Sequence, residues 1–168
     1  VPAYYQQRRH GAVVKVLSMA PDDGEEAILG KIEAALTERT RLVFLSHIQY
    51  SCGLRMPVKA IRDLTRDQGV LMLLDGAQTA GHISLDMEDL GCDLYSIPAQ
   101  KWLLGSEGAG ALYIRRDLIP RIEPTHVAGR ASLTHQDPYR FEPDTDSMDK
   151  FLLTSHSSPL RVGMLEAV

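Results

Sequence analysis

Two short, almost wholly apolar runs restrict the fold most. Leu42-Val43-Phe44-Leu45-Ser46 and Val70-Leu71-Met72-Leu73-Leu74 show no polar alternation. A strand of this kind is expected where both faces of a parallel sheet are covered. Around these runs the apolar spacing changes to that of helices. Ala27, Ile28, Ile32, Ala35 and Leu36 recur at helical spacing over 25–36, with acids in the first turn. Pro57 opens a second helical run whose buried stripe is Val58, Ile61 and Leu64, capped by Gly69. Ala12–Leu17 reads as a further strand from its β-branched residues, ended by Pro21-Asp22-Asp23-Gly24. Short strands are also expected over 93–97 and 109–115. This β-α-β-α-β order predicts an α/β fold, a mostly parallel sheet with helices on both faces.

Composition narrows the function classes. The chain has 168 residues, 44% hydrophobic and 24% charged, which suits a folded domain rather than disorder. A net charge of −4 leaves no electrostatic footprint for nucleic acid or an anionic membrane. The run 70–74 is too short to span a bilayer. Two cysteines make neither a disulfide framework nor a metal cluster. No leader segment is visible, and a cytoplasmic location is expected. The chain begins Val1-Pro2 and ends within a helical pattern, so it reads as a piece of a longer one.

In open α/β sheets, ligands bind beyond the carboxyl ends of the strands. Asp75 follows Leu73-Leu74 directly, so its carboxylate loses solvation and needs a partner. It either caps the next turn or pairs with a cofactor cation or metal. Lys101 lies in Pro98-Ala99-Gln100-Lys101-Trp102-Leu103-Leu104-Gly105. Apolar neighbours favour the free amine, the nucleophile of a Schiff base. The alternative is a stem packed on Trp102 with its head in water. Gly105, Gly108 and Gly110 precede a strand and fit neither a dinucleotide fingerprint nor a P-loop. They indicate tight turns or close backbone approach.

Three runs carry a family resemblance: Asp75-Gly76-Ala77-Gln78-Thr79-Ala80-Gly81-His82, Leu90-Gly91-Cys92-Asp93-Leu94-Tyr95-Ser96, and Gln100-Lys101-Trp102-Leu103-Leu104-Gly105-Ser106-Glu107-Gly108-Ala109-Gly110. Together they resemble the class V aminotransferases, pyridoxal 5'-phosphate enzymes of fold type I. That family includes cysteine desulfurases, isopenicillin N epimerase-like proteins and kynureninases. Ser46-His47, Gly53 and Pro57-Val58 fit as well. The resemblance implies that Lys101 forms the Schiff base and moves protons at the substrate α-carbon. It implies that Asp75 keeps the pyridinium nitrogen protonated and that Gln78 donates to the phenolate oxygen. Gln100 stands where desulfurases carry a phosphate-contacting His. The implied reaction is transamination or a related change at an amino acid's α-carbon, in a homodimer. A cysteine desulfurase or lyase on the same scaffold is the alternative, and a non-catalytic remnant or structural partner the second. Gln-Lys-Trp-Leu-Leu-Gly is closer to the epimerase and aminotransferase branch than to His-Lys desulfurases. On this reading residues 1–122 form the cofactor-binding large-domain core. Residues 123–156, with Pro124, Pro138 and Pro143, form a long loop near the active site. Residues 157–168 start a helix.

Some positions depart from the family pattern. Pro98 stands where the family often has a phosphate-binding Ser, Ala99 where it has Gly, and Tyr50 where it commonly has Asn. Thr154-Ser155 matches the family's Gly-Thr only loosely. The phosphate-cradling turn, the ring-stacking aromatic and the carboxylate-binding arginine belong to family segments outside this chain. Arg130 and Arg161 read as surface residues. Cys92 reads as a small buried thiol, and neither it nor Cys52 stands at the persulfide position. His47, just past a strand end, is a candidate neighbour of the site. His82, His126, His135 and His156 lack metal spacing and read as surface or loop residues.

Overall fold

A computed structural model describes residues 2–134, 136–137, 139–153 and 155–168. His135, Pro138 and Thr154 lie outside the described residues. The sheet has four strands in the order β1 (Leu42–Ser46), β2 (Leu71–Asp75), β3 (Leu94–Pro98) and β4 (Gly110–Ile114). The first three are parallel, and β4 returns antiparallel on β3. The helices are α1 (Pro2–His10), α2 (Glu25–Ala35), α3 (Val58–Arg66), α4 (Met87–Leu90) and α5 (Ser158–Leu165).

Side-chain alternation sends each strand to two different cores. Val43, Leu45, Met72, Leu74, Tyr95 and Tyr113 face α2 and α3, where Ile28, Ile32, Val58 and Ile61 are buried. Each such aliphatic side chain, fully buried, contributes roughly 1.5–3 kcal/mol. On the other face Leu71, Leu94 and Ile114 meet Leu118 and Ile119 of a 3-10 helix (Arg116–Arg121), with Met148 and Phe151 from another (Met148–Phe151). Helical turns therefore lie on both faces, α on one and 3-10 on the other. Towards the carboxyl ends of the strands the second face is barer, and Phe44 is 62% exposed.

At the opposite end of the sheet, Asp93 is fully buried just before β3. It accepts from the Met72 amide and from the Arg62 and Arg115 guanidiniums, tying α3, β2 and the end of β4 together. Lys150 is also buried, donating to the carbonyls of Ile119 (2.5 Å) and Thr145 (3.2 Å). It anchors the proline-rich stretch to the 3-10 helix beneath the sheet.

One expected strand does not form. Ala12–Leu17 is irregular, with Val13 and Val16 more than two-thirds exposed. Its β-branched composition is right for a strand, but no described strand lies beside it. β-propensity without a pairing edge does not make a strand. Ahead of it lies a helix the apolar pattern did not announce. Helix α1 has no buried residue, so it leaves no amphipathic signature, although Arg8, Arg9 and His10 suit the negative end of its dipole.

Candidate active site

The parallel strands end in a polar row. The register sets Ser46 beside Asp75 and Asp75 beside Ser96, all on one face. Asp75 is half-buried, and its Oδ1 accepts the Ala77 amide at 2.9 Å. Its Oδ2 has no hydrogen bond among the described residues. The turn-capping reading thus holds for one oxygen and leaves the other open. Gly76 comes next, where a Cβ would overlap the Tyr95 ring. Its amide donates to the Ser96 carbonyl at 2.9 Å, extending the β2–β3 pairing one residue past the strand. The chain then turns through 76–80, with the Thr79 and Ala80 amides both on the Gly76 carbonyl.

Lys101 sits in a second tight turn, closed by the Leu104 amide on the Lys101 carbonyl (3.0 Å) and the Gly105 amide on the Ala99 carbonyl (2.8 Å). Leu104 takes a left-handed conformation there, φ 58°, which costs a non-glycine residue on the order of 1 kcal/mol or more. The expected apolar wrapping of Lys101 is absent. Lys101 is exposed and Leu104 is 88% exposed, because consecutive side chains in a tight turn radiate apart. Trp102 turns towards the Asp75 segment instead. Its indole stacks on His82 at 4.1 Å between centroids and 11° between planes, and its Nε1 donates to Gln78 Oε1 at 2.9 Å. His82 Nδ1 donates to the Gln78 carbonyl at 3.1 Å. Gly81, φ 83°, lets its backbone lie against that of Trp102–Leu103. The turn holding Asp75 and Gln78 and the turn holding Lys101 are therefore clasped together. Gln78 is half-buried and Gln100 is exposed.

A buried hydrogen-bonded chain supports this arrangement from the α2–α3 side. The Thr79 hydroxyl donates to the Gly76 carbonyl, which leaves Thr79 Oγ1 to accept from the Tyr95 hydroxyl. The Tyr95 oxygen in turn accepts from His47 Nδ1 at 3.0 Å. That sequence of donors fixes the His47 tautomer. Burial, with the nearby Arg55 charge, pushes the His47 pKa down to about 4, so the ring is neutral at pH 7. The His47 amide also donates to the Asp75 carbonyl at 3.0 Å. Tyr95, Thr79 and Trp102 escaped the sequence reading. Gly76 and Gly81, which bracket Gln78, were the available signal of close approach.

The other sequence candidates are placed elsewhere. Cys92 is fully buried, its thiol pushed up to about 11 chiefly by burial, while Cys52 is exposed. Tyr50 is 85% exposed. His126, His156 and Arg161 are exposed, and exposed Arg130 pairs with Asp149 at 3.5 Å. No metal-ligand cluster occurs among the described residues. Helix α5 packs on the loop after Lys101, with Gly163 against Ser106 and Leu160 near Gly108.

A family model described as Aminotransferase class-V matches residues 1–151. A probable cysteine desulfurase of Methanothermobacter thermautotrophicus is 36% identical over 136 residues, covering 80% of this chain and 34% of the relative. Isopenicillin N epimerase of Streptomyces clavuligerus is 33% identical over 123 residues, 72% of this chain and 31% of the relative. A structure of a variant of the C-S lyase C-DES, with glycine covalently linked to its PLP cofactor, aligns with a TM-score of 0.73 at 31% identity. It covers 83% of this chain and 37% of that one. The chain spans about a third of the length of the curated relatives it matches.

Proposed function

Because this chain belongs to the class V aminotransferase family, whose members use pyridoxal phosphate, we propose that it is the cofactor-binding part of an enzyme acting at the α-carbon of an amino acid. The observation that carries the reading is the clasp between the Asp75–Gln78 turn and the Lys101 turn at the carboxyl ends of β2 and β3. Three chemistries the cofactor requires are held on these two turns. They are an unengaged carboxylate oxygen, an amide N–H donor and an exposed primary amine.

When bound, the cofactor supplies an electron sink for bonds at the substrate α-carbon. Asp75 Oδ2 would accept a charge-assisted hydrogen bond from the protonated ring nitrogen. Gln78 Nε2 would donate to the phenolate oxygen, since its Oε1 is taken by Trp102. Lys101 Nζ would hold the cofactor covalently, and its amine, when free, would move protons at the substrate α-carbon. Gln100 offers its amide to the phosphate oxygens. His47, Tyr95 and Thr79 are buried and hold the turn in place.

Desulfurase or lyase chemistry on the same scaffold is the second reading. Cysteine desulfurases stand among the relatives, and C-DES is described in complex with its product cysteine persulfide. The two readings separate in one assay. The cofactor-loaded full-length protein is given single amino acids, including cysteine and cystine, and keto acid, racemised substrate, sulfide and sulfane sulfur are measured. Keto acid or racemised substrate formed without release of sulfur supports the first reading, and sulfide or sulfane sulfur, with or without pyruvate, the second. Loaded protein that alters no amino acid contradicts both.

A further inference from the structure

Trp102 has no reacting group, yet it makes the contact that joins the two turns. Resting on the cofactor-binding reading above, we infer that Trp102 is a positioning residue for Gln78: it sets which end of the Gln78 amide faces the phenolate oxygen of the cofactor. An indole N–H only donates, whereas a side-chain amide has one accepting end and one donating end. With Trp102 Nε1 at 2.9 Å, Gln78 must turn its Oε1 to the indole. The flipped amide would set donor against donor and leave both unsatisfied. The NH2 is then the free end, and a phenolate needs a donor. Without the indole, either end can be presented.

The indole is itself held. It stacks on His82, and His82 returns to the Gln78 carbonyl, closing a circuit through three side chains. A Cβ at Gly81 would lie 2.5 Å from the Trp102 carbonyl oxygen, so the backbones are also in contact. Trp102 directly follows Lys101, so the orientation of Gln78 is tied to the turn that carries the amine.

The test is a double-mutant cycle read as cofactor affinity. Apo full-length wild type, Trp102→Phe, Gln78→Ala and the double variant are titrated with pyridoxal phosphate by absorbance. The bound cofactor's visible band is then titrated with pH. Phe keeps the ring and its stack on His82 but loses the N–H. Trp102→Phe is expected to weaken binding about five- to tenfold, the size of one oriented hydrogen bond, and to shift the pH at which the band changes. In the Gln78→Ala background the same substitution is expected to have no further effect. An unchanged Kd and band in Trp102→Phe, or a loss that adds to that of Gln78→Ala, overturns the positioning role while leaving the cofactor reading intact. Wild type that binds no pyridoxal phosphate overturns both.

Discussion

Burial holds the His47 imidazole neutral, with its pKa near 4 against an ordinary 6.5. Above pH 6.5 the ring is neutral whether the chain is folded or not, so the shift has no effect there. Between about 6.5 and 4 the unfolded chain takes up a proton that the folded one resists. Stability is therefore lost as pH falls through that window, by about 3 kcal/mol in all. Urea unfolding midpoints measured from pH 7 to pH 4 are expected to fall less steeply in His47→Gln than in the wild type. Parallel profiles would show that His47 is not the titrating group. Asp75 and Lys101 were readable as candidates at this scale, through the spacing of Asp75, Gln78 and Lys101 that carries the family resemblance. Tyr95 and Trp102 were not, because each acts through a partner far away in sequence.

Two turns rather than two strands carry the candidate site. The strands supply direction: Leu42–Ser46 forms where its unbroken apolar run places it, and β2 ends on Asp75. The pairing of the turns depends on Gly81, which combines a left-handed φ with backbone contact against Trp102. Gly81→Ala is expected to lower stability by about 1–3 kcal/mol, from the left-handed penalty plus the clash. It should also weaken cofactor binding by parting the turns. Gly30→Ala in α2, where a Cβ meets nothing within 4 Å, is the control and should stabilise by about 0.5–1 kcal/mol. Equal melting temperatures for the two variants, with unchanged cofactor affinity, would remove Gly81 from the account. The misread strand over 12–17 fails at this same scale. Periodicity reports what a segment could pair with, and pairing needs a neighbour. Helix α1 went unread for a related reason, since a helix that buries nothing has no stripe to read.

Across the whole molecule the sheet has two ends with different tasks. At one end Asp93 pairs with Arg62 and Arg115, the latter also paired with Asp117, and fastens three elements, which is structural work. At the other, Ser46, Asp75 and Ser96 form a polar row beside the clasped turns. The parallel order of β1, β2 and β3 puts these functions at opposite ends, and that order was readable from the alternation of apolar runs and helical spacing. The antiparallel return of β4 was not, because it follows from the turns after Lys101 rather than from composition. Lys101 is the residue we propose to bind pyridoxal phosphate covalently. Borohydride reduction of the cofactor-loaded full-length protein, followed by peptide mapping, tests this directly. A single pyridoxyl label on Lys101 is the expected result. A label on any other lysine, with Lys101 unmodified, would contradict it.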